Sequence, residues 1–307
     1  MTLEGIHHIT AITADAQRNV DFYAGVLGLR LVKKTVNQDE PSVYHLFYAD
    51  EQGSPGADLT FFEFRGAPLG RPGAGMVHRI VWRVGSAEAL DFWSDRLEAK
   101  GRETERDGDR LRFSDPEGLD HELRVAHVDD EPLIADHPEV PRELALQGFD
   151  AARAYALDPE PSRPLLGEAL GFSDRGDAEW ELRGAERGSL WTYHEAPPTA
   201  GLQGAGTVHH IAWASQVDDH ERWRERVIGA GGRPTPVIDR FWFRSIYFRE
   251  PSGVLFEIAT IGPGFAVDED PESLGEKLIL PPFLEDRRDQ IEDVLTPITN
   301  PRQVATG

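Results

Sequence analysis

Two copies of one ten-residue segment decide how the chain is organised. Residues 73–82 read GAGMVHRIVW and residues 204–213 read GAGTVHHIAW, so that seven of ten letters agree at a spacing of 131 residues. A second pair, DPEGLDHE at 115–122 and EPSGVLFE at 250–257, agrees at a spacing of 135, which implies a four-residue insertion between the two matches. Such repeats indicate a duplicated structural unit, and we interpret the chain as two related halves.

Each half divides into two smaller units. In the first unit a strand at 5–10 precedes an amphipathic helix at 15–27 that ends at Gly28, and two or three strands follow. The same order begins again near residues 77, 146 and 208. The pattern predicts an α+β fold of four βαβββ modules, which form two incomplete β-barrels with the helices outside.

The linkers predict the domain boundaries. We expect an N-terminal half of two modules at 1–128, a linker at 129–143, a C-terminal half of two modules at 144–262, and an acidic, partly helical tail at 263–307. The sequence leaves open whether this tail caps a barrel or packs on its surface.

The composition limits the function. The 307 residues carry a formal net charge of -22, which would repel nucleic acids and anionic membranes, so neither is expected as a partner. No stretch resembles a membrane span or a signal peptide, and we therefore expect a cytoplasmic protein. The lack of cysteine excludes a disulfide scaffold and leaves His, Asp and Glu as metal ligands. An acidic surface with only four lysines suits strong salt, although a GC-rich genome would also favour it.

Aligning the four modules identifies one inward position on the first strand of each module and another on its last strand. The first-strand position holds His8, Arg79, Gly148 and His210. The last-strand position holds Thr60, Glu122, Thr192 and Glu257. If modules one and four pair, two imidazoles and one carboxylate meet, which is the ligand set of non-haem Fe(II) oxygenases. Modules two and three would then form a barrel without a metal, in which Arg79 could neutralise Glu122.

These residues also have simpler explanations. A single histidine in a strand is more often structural than a ligand, and this applies to His7 and His209 in particular, because alternate strand residues face opposite ways. Glu257 could be a surface carboxylate, but its neighbours in the strand are apolar, and a buried carboxylate requires a cationic partner. The metal hypothesis therefore depends on the equivalence of His8 and His210 across the repeat and on the matching carboxylate of Glu257.

Six short segments distributed over the chain carry a family resemblance. They are HHIT at 7–10, YHLFYAD at 44–50, VHH at 208–210, RSIYFREP at 244–251, FE at 256–257 and PGF at 263–265. With the fourfold module plan, they make the chain similar to the vicinal oxygen chelate superfamily of glyoxalases, bleomycin resistance proteins and extradiol dioxygenases. Within it, the chain resembles hydroquinone-type ring-cleaving dioxygenases such as chlorohydroquinone 1,2-dioxygenase. The segment FWF at 241–243 lies where these relatives vary, which leaves the shape of the pocket open.

The resemblance implies an Fe(II) enzyme, with Mn(II) as the alternative metal, that uses O2 to cleave a hydroquinone or a catechol-like aromatic diol. The implied metal ligands are His8, His210 and Glu257. The implied substrate-side catalytic residues are His7, His209, Arg240 and Tyr247. A homo-oligomer is also expected, because folds with exposed sheet edges commonly associate.

Two other activities of the same superfamily are alternatives. One is a glyoxalase-like isomerase and the other is a metal-dependent thiol transferase of the resistance-protein type. A glyoxalase normally supplies a fourth ligand, and Thr60 at the fourth position argues against that activity. The ligand set alone does not separate Fe(II) from Mn(II), so a thiol transferase stays open.

Overall fold

The computed structural model describes residues 1–304, which form two eight-stranded sheets. The strands are β1 (Ile6–Thr13), β2 (Arg30–Val36), β3 (Tyr44–Ala49), β4 (Asp58–Glu63), β5 (Met76–Val84), β6 (Thr104–Asp107), β7 (Arg110–Ser114), β8 (Asp120–Val125), β9 (Phe149–Ala156), β10 (Ser173–Gly176), β11 (Glu179–Arg183), β12 (Gly188–Glu195), β13 (Thr207–Ser215), β14 (Ile238–Asp239), β15 (Arg244–Arg249) and β16 (Leu255–Thr260). The α-helices are α1 (Ala16–Val20), α2 (Ala87–Ala99), α3 (His220–Gly229), α4 (Arg288–Val294) and α5 (Pro301–Val304).

The two sheets combine modules from different parts of the chain. One sheet runs β14-β15-β16-β13-β1-β4-β3-β2 and joins modules four and one, while the other runs β10-β11-β12-β9-β5-β8-β7-β6 and joins modules three and two. In each sheet the first strands of the two modules pair antiparallel at the centre, β1 with β13 in one sheet and β5 with β9 in the other. The predicted α+β fold of four βαβββ modules is confirmed, and the modules pair as one with four and two with three.

The helices follow the sequence pattern, with two local departures. Helix α2 begins after Ser86, whose hydroxyl oxygen accepts the Ala89 N–H, and its apolar face buries Leu90, Trp93 and Leu97 against the sheet. The predicted helix at 15–27 is only partly α-helical, because the turn Asp21–Val26 is π-helical, as is the segment Leu165–Leu170 of module three. Both departures widen the last turn without changing the order of elements.

The repeated acid-Pro-x-Gly turn has a structural cause. Glu250 is buried, and its carboxylate accepts the N–H groups of Ser252 and Val254, which closes the turn before β16. The equivalent Asp115 carboxylate accepts two N–H groups in the turn before β8. Gly253 has φ of 102°, a backbone conformation that side chains other than glycine rarely adopt. This turn therefore sets where the last strand of the module starts.

The tail lies against the outer edge of the sheet formed by modules one and four. Phe265 and Leu274 enter an apolar cluster with Val32 of β2 and Trp242. Lys33 is fully buried, and its ammonium group contacts the carboxylates of the tail. The tail therefore packs against the edge of this sheet. The sequence alone did not decide between this position and a cap over a barrel. Residues 305–307 of the predicted tail lie outside the described residues.

The sheets interlock the two halves of the sequence. Each sheet takes one module from the predicted half at 1–128 and one from the predicted half at 144–262. The boundaries themselves remain predictions. No helix among residues 1–304 is both long and apolar enough to span a bilayer.

Candidate metal centre

Three adjacent strands bring the predicted ligands together. Strand β13 lies between β1 and β16, with Thr10 opposite His210 and Ala212 beside Glu257. His8 lies on β1, where a register shift between Ile6 and His8 marks a bulge. A bulge redirects the following side chains, and here His8 and His210 converge on Glu257 although they are 202 residues apart in sequence.

The three side chains form a compact, buried group. His8 Nε2 and His210 Nε2 lie 3.2 and 2.9 Å from Glu257 Oε2, and 3.3 Å from one another. Two ligand atoms that each lie about 2.1 Å from one ion at right angles are about 3 Å apart. Glu257 Oε2 is enclosed and has no hydrogen-bond partner among the described residues. These residues therefore fit a metal ion bound on one face by three ligands.

The protonation states suit a cation. Burial lowers the pKa of His210, which favours the neutral imidazole that a metal requires. Burial acts to raise the pKa of Glu257, but positive charge on the adjacent His8 and His210 imidazoles outweighs it and holds that pKa well below its usual value. A metal ion between neutral imidazoles would supply the same positive charge. Asp58 forms a second group of potential ligands with His7 and His8. Burial raises the pKa of Asp58 well above its usual range, so its neutral carboxyl is a poor ligand.

The first histidine of each pair contacts the second. His7 Nδ1 lies 2.9 Å from His8 Nδ1, and His209 Nδ1 lies 2.7 Å from His210 Nδ1. His7 Nε2 lies 3.1 Å from the carbonyl oxygen of Thr260, which can only accept, so the His7 proton is on Nε2. His7 Nδ1 then accepts the Nδ1 proton of His8, which leaves a lone pair on His8 Nε2 facing the centre of the group. Burial lowers the pKa of His7 to about 3 and that of His209 to about 4.

A serine holds the other oxygen of the carboxylate. Ser245, on β15, is buried, and its hydroxyl donates to Glu257 Oε1. Because Oε1 is occupied, Oε2 is the atom that turns toward the two imidazoles. Contacts of this kind orient a ligand and commonly influence metal affinity.

A cavity opens beside the three side chains. Its lining residues are His8, Asn37, Gln38, Asp39, His45, Phe47, Phe62, His210, Arg240, Trp242, Phe243 and Tyr247. Aromatic rings thus form most of its apolar wall, which suits a flat aromatic ligand. Phe243 lies 5.3 Å from the His8 ring, measured between ring centroids, and narrows the cavity next to the candidate ligands.

Arg240 and Tyr247 lie together at this cavity. The Arg240 guanidinium carbon is 5.6 Å from the centre of the Tyr247 ring, and Arg240 Nε donates to the Tyr247 hydroxyl at 3.4 Å. Arg240 also donates to the Asp39 carboxylate at 3.0 Å. Burial raises the pKa of Tyr247 above its usual value, so that the phenol keeps its proton. Of the residues expected on the substrate side, these two line the cavity. His7 and His209 instead contact the Nδ1 atoms of the candidate ligands, and His209 lines a different cavity.

Several lining residues were not predicted from the sequence. His45 and Phe47 come from β3, and Asp39 and Gln38 come from the loop before it. Because alternate strand residues share a face, His45 and Phe47 are expected on one face of β3. Whether that face is the one toward the cavity depends on the pairing of Phe47 with Thr60, which the sequence does not show.

In the sheet of modules two and three, arginines surround Glu122, the carboxylate that corresponds to Glu257. Glu122 is fully buried and accepts from Arg153 at 2.6 Å and from Arg112 at 3.2 Å. Arg79 lies 3.8 Å from the same carboxylate, as an ion pair of the expected kind. Gly148 was predicted to occupy the position that His8 has in module one, and this is wrong. Ala151 occupies it, because Ala151 pairs with Val81 of module two in the same register in which His8 pairs with Ala212 of module four. Gly148 precedes β9, where its φ of 87° matches that of Gly5 before β1.

Comparisons with known proteins agree with this architecture. Residues 5–123 and 149–258 match the model of the Glyoxalase/Bleomycin resistance protein/Dioxygenase superfamily. The chain is 40% identical to the "Putative ring-cleaving dioxygenase MhqA" of Bacillus subtilis, over 97% of this chain and 100% of that protein. It is 33% identical to the chlorohydroquinone/hydroquinone 1,2-dioxygenase of Sphingobium indicum, over 94% of this chain and 95% of that one.

A solved structure gives the same result. A crystal structure described as a "putative dioxygenase" from Bacillus subtilis superposes with a TM-score of 0.90 at 42% identity, covering 97% of this chain and 98% of that one. The family resemblance seen in the sequence is thereby confirmed. The chain belongs to the glyoxalase/bleomycin resistance protein/dioxygenase superfamily.

Proposed function

We propose that the protein is an Fe(II)-dependent ring-cleaving dioxygenase that acts with O2 on a hydroquinone or a catechol-like aromatic diol. The convergence of His8, His210 and Glu257 at an aromatic-walled cavity is the observation that carries the proposal. The printed names of its relatives, including a chlorohydroquinone/hydroquinone dioxygenase, agree with this substrate class.

The three converging residues would hold the metal, and two neutral imidazoles with one carboxylate leave it other open positions. When bound, Fe(II) would supply the electron transfer between the ring and dioxygen and would lower the pKa of a coordinated hydroxyl. Ser245 fixes the carboxylate through Oε1, and His7 fixes the tautomer of His8. These contacts support an orienting role for His7 and His209 in addition to the substrate-side role that the resemblance implies.

Arg240 and Tyr247 would act on the substrate. A guanidinium that lines the cavity can hold an anionic oxygen or a ring substituent, and Arg240 would exchange its contact with Asp39 for that contact. The Tyr247 hydroxyl keeps its proton and is suited to donate to oxygen atoms on which negative charge develops. The aromatic wall would orient the ring and exclude water.

The first experiment removes one ligand. We expect His210→Ala to lose both bound iron and oxygen uptake with hydroquinones and catechols, because two ligands would remain. His194→Ala is the matched control, since His194 is a partly buried histidine of the other sheet that contacts His78. It should keep iron and activity. Full oxygen uptake by His210→Ala would contradict the metal assignment.

The second experiment separates chemistry from metal binding. Tyr247→Phe should keep its iron and slow turnover by about 10²-fold, in the range for loss of a positioned acid or base. An unchanged turnover number would reduce Tyr247 to a packing residue.

The superfamily alternatives receive no specific support from the site. Thr60, at the fourth module position, donates to Thr10 and contacts His45. Oxygen uptake together with metal analysis distinguishes Fe(II) from Mn(II) and a dioxygenase from an isomerase or thiol transferase. We also propose a cytoplasmic location, a homo-oligomeric state and a division of the chain into four segments at 1–128, 129–143, 144–262 and 263–307. Size-exclusion chromatography tests the oligomeric state.

A further inference from the structure

His45 lies in the cavity in a fixed orientation. Its ring is held between two aromatic side chains, with centroid distances of 4.0 Å to Phe47 and 4.4 Å to Phe62. It lines the same cavity as His8 and His210, but it comes from β3, which is separated from β1 by β4. No part of the proposed metal centre or of the substrate-side set uses this imidazole.

A chain of hydroxyl groups sets the tautomer of His45. Thr60 Oγ1 donates its single proton to Thr10 Oγ1 at 2.8 Å, and His45 Nε2 lies 2.9 Å from the same Thr60 oxygen. Because that hydroxyl has no second proton, the proton of the contact between His45 and Thr60 belongs to Nε2. The lone pair of the neutral ring is therefore on Nδ1.

The lone pair of Nδ1 is free for a ligand. Nδ1 has no hydrogen-bond partner among residues 1–304, and it is not one of the fully enclosed atoms of that region. Burial lowers the pKa of His45 well below its usual value, which keeps the ring neutral and the lone pair available. The cavity thus contains one oriented, uncharged acceptor on a different strand from the candidate metal ligands.

We propose that His45 Nδ1 accepts a hydrogen bond from the second hydroxyl of the substrate, and that the site thereby selects 1,4-diols over 1,2-diols. The inference rests on the proposed function, since it assumes that the first hydroxyl faces the His8, His210 and Glu257 group. A catechol has both hydroxyls on adjacent ring carbons and presents them to the same side. A hydroquinone has its second hydroxyl on the opposite side of the ring, where an acceptor away from the metal is required.

The selectivity follows from an acceptor that has no other partner. A ligand without the second hydroxyl would leave the His45 lone pair unpaired inside an aromatic wall, and such sites discriminate strongly against the analogue lacking the donor. One hydrogen bond of this kind corresponds to about tenfold in binding. The contact positions the ring and requires no proton transfer.

Equilibrium binding tests the proposal. The iron-loaded protein is titrated without oxygen with hydroquinone and with 4-methylphenol, in which a methyl group replaces the second hydroxyl. We expect hydroquinone to bind about tenfold more tightly. His45→Phe should remove this preference, and His45→Gln, whose amide oxygen can accept, should keep part of it. Iron content is measured in each variant to show that the metal site is intact.

Turnover provides the second readout. In the wild-type protein kcat/KM should favour hydroquinone over catechol, and His45→Phe should reduce this ratio by about tenfold. A purely structural role would lower both values by the same factor and leave the ratio and the binding preference unchanged. That result, or a wild-type protein without the binding preference, would overturn the proposal.

The two proposals fail separately. Suppose that no diol supports oxygen uptake, but that the wild-type protein binds hydroquinone more tightly than 4-methylphenol and His45→Phe does not. The dioxygenase proposal is then wrong and the assignment of His45 stands. If diols are oxidised but substitution of His45 changes neither preference, the dioxygenase proposal stands and the assignment of His45 is wrong.

Discussion

Lys33 connects the tail to the wall of the candidate active site, and its removal should loosen both. The side chain is fully buried, and its ammonium group lies 2.8 Å from Asp268 Oδ1 and also contacts Glu269 and the Phe265 carbonyl oxygen. Trp242 Nε1 donates to the same Asp268 carboxylate. Lys33→Met keeps the side-chain length and leaves two acidic groups without their cation.

The expected cost is at the lower end of the range for a broken buried pair. Removing one partner of such a pair costs about 3–5 kcal/mol, and Asp268 is 18% exposed, so water offsets part of the loss. We therefore expect the free energy of unfolding to fall by about 3 kcal/mol, as measured by urea denaturation. Lys33→Met/Glu269→Gln should recover part of this loss, because it removes one stranded charge.

The neighbouring lysine provides the matched control. Lys34 is partly exposed and donates to the Glu276 carbonyl oxygen, so Lys34→Met should cost less than about 1 kcal/mol. We also expect Lys33→Met to raise KM for the diol, because the loop that contains Trp242 and Phe243 loses its anchor. Equal costs for the two single variants, or no recovery in the double variant, would refute this account of the buried charge.

Three further predictions concern the site and the response to pH. Ser245→Ala should weaken iron binding by about 10–100-fold, because Glu257 Oε1 loses its donor; unchanged affinity in a metal titration would contradict this. Asp39→Asn should lower KM for the diol by about two- to fivefold at unchanged kcat, since Arg240 loses a competing, largely exposed partner. A higher KM in steady-state kinetics would instead mean that the contact between Asp39 and Arg240 preorganises the site. His121 is fully buried, and burial lowers its pKa to about 3. Below pH 6.5 the unfolded chain therefore binds a proton at this residue that the native state does not bind. The free energy of unfolding should then fall by about 1.4 kcal/mol for each pH unit. Urea denaturation between pH 7 and 5 should give a shallower dependence for His121→Gln, and parallel curves would refute the assignment.

The pairing of distant modules was predictable because its chemistry is distinctive. Only modules one and four have an imidazole at the inward position of the first strand, and only Glu257 can complete their set. Ligands of one ion must converge, so residue type encodes a contact between parts of the chain that hydrophobic pattern alone does not specify. The two sheets have this pairing.

The rest of the site could not be predicted, because it depends on local geometry. Ala151, and not Gly148, occupies the position of His8 in module three. The sequence could not show this, because module three has no histidine on its first strand with which to align it. Phe241 has φ of 72°, an uncommon value for a non-glycine residue, and the turn around it directs Phe243 toward His8. The place of the tail depends on the buried contacts of Lys33, a residue that has no distinguishing pattern in the sequence.

The nested order of the modules has a consequence for biosynthesis. Modules two and three are complete once residue 195 has left the ribosome, so their sheet can form while the chain is still being made. The nascent chain at that stage contains His8 but neither His210 nor Glu257. The three candidate ligands can therefore converge only after β16 has been synthesised and has inserted beside β13. Termination between residues 196 and 254 would leave the sheet of modules two and three complete but would remove Glu257 from the group of candidate ligands.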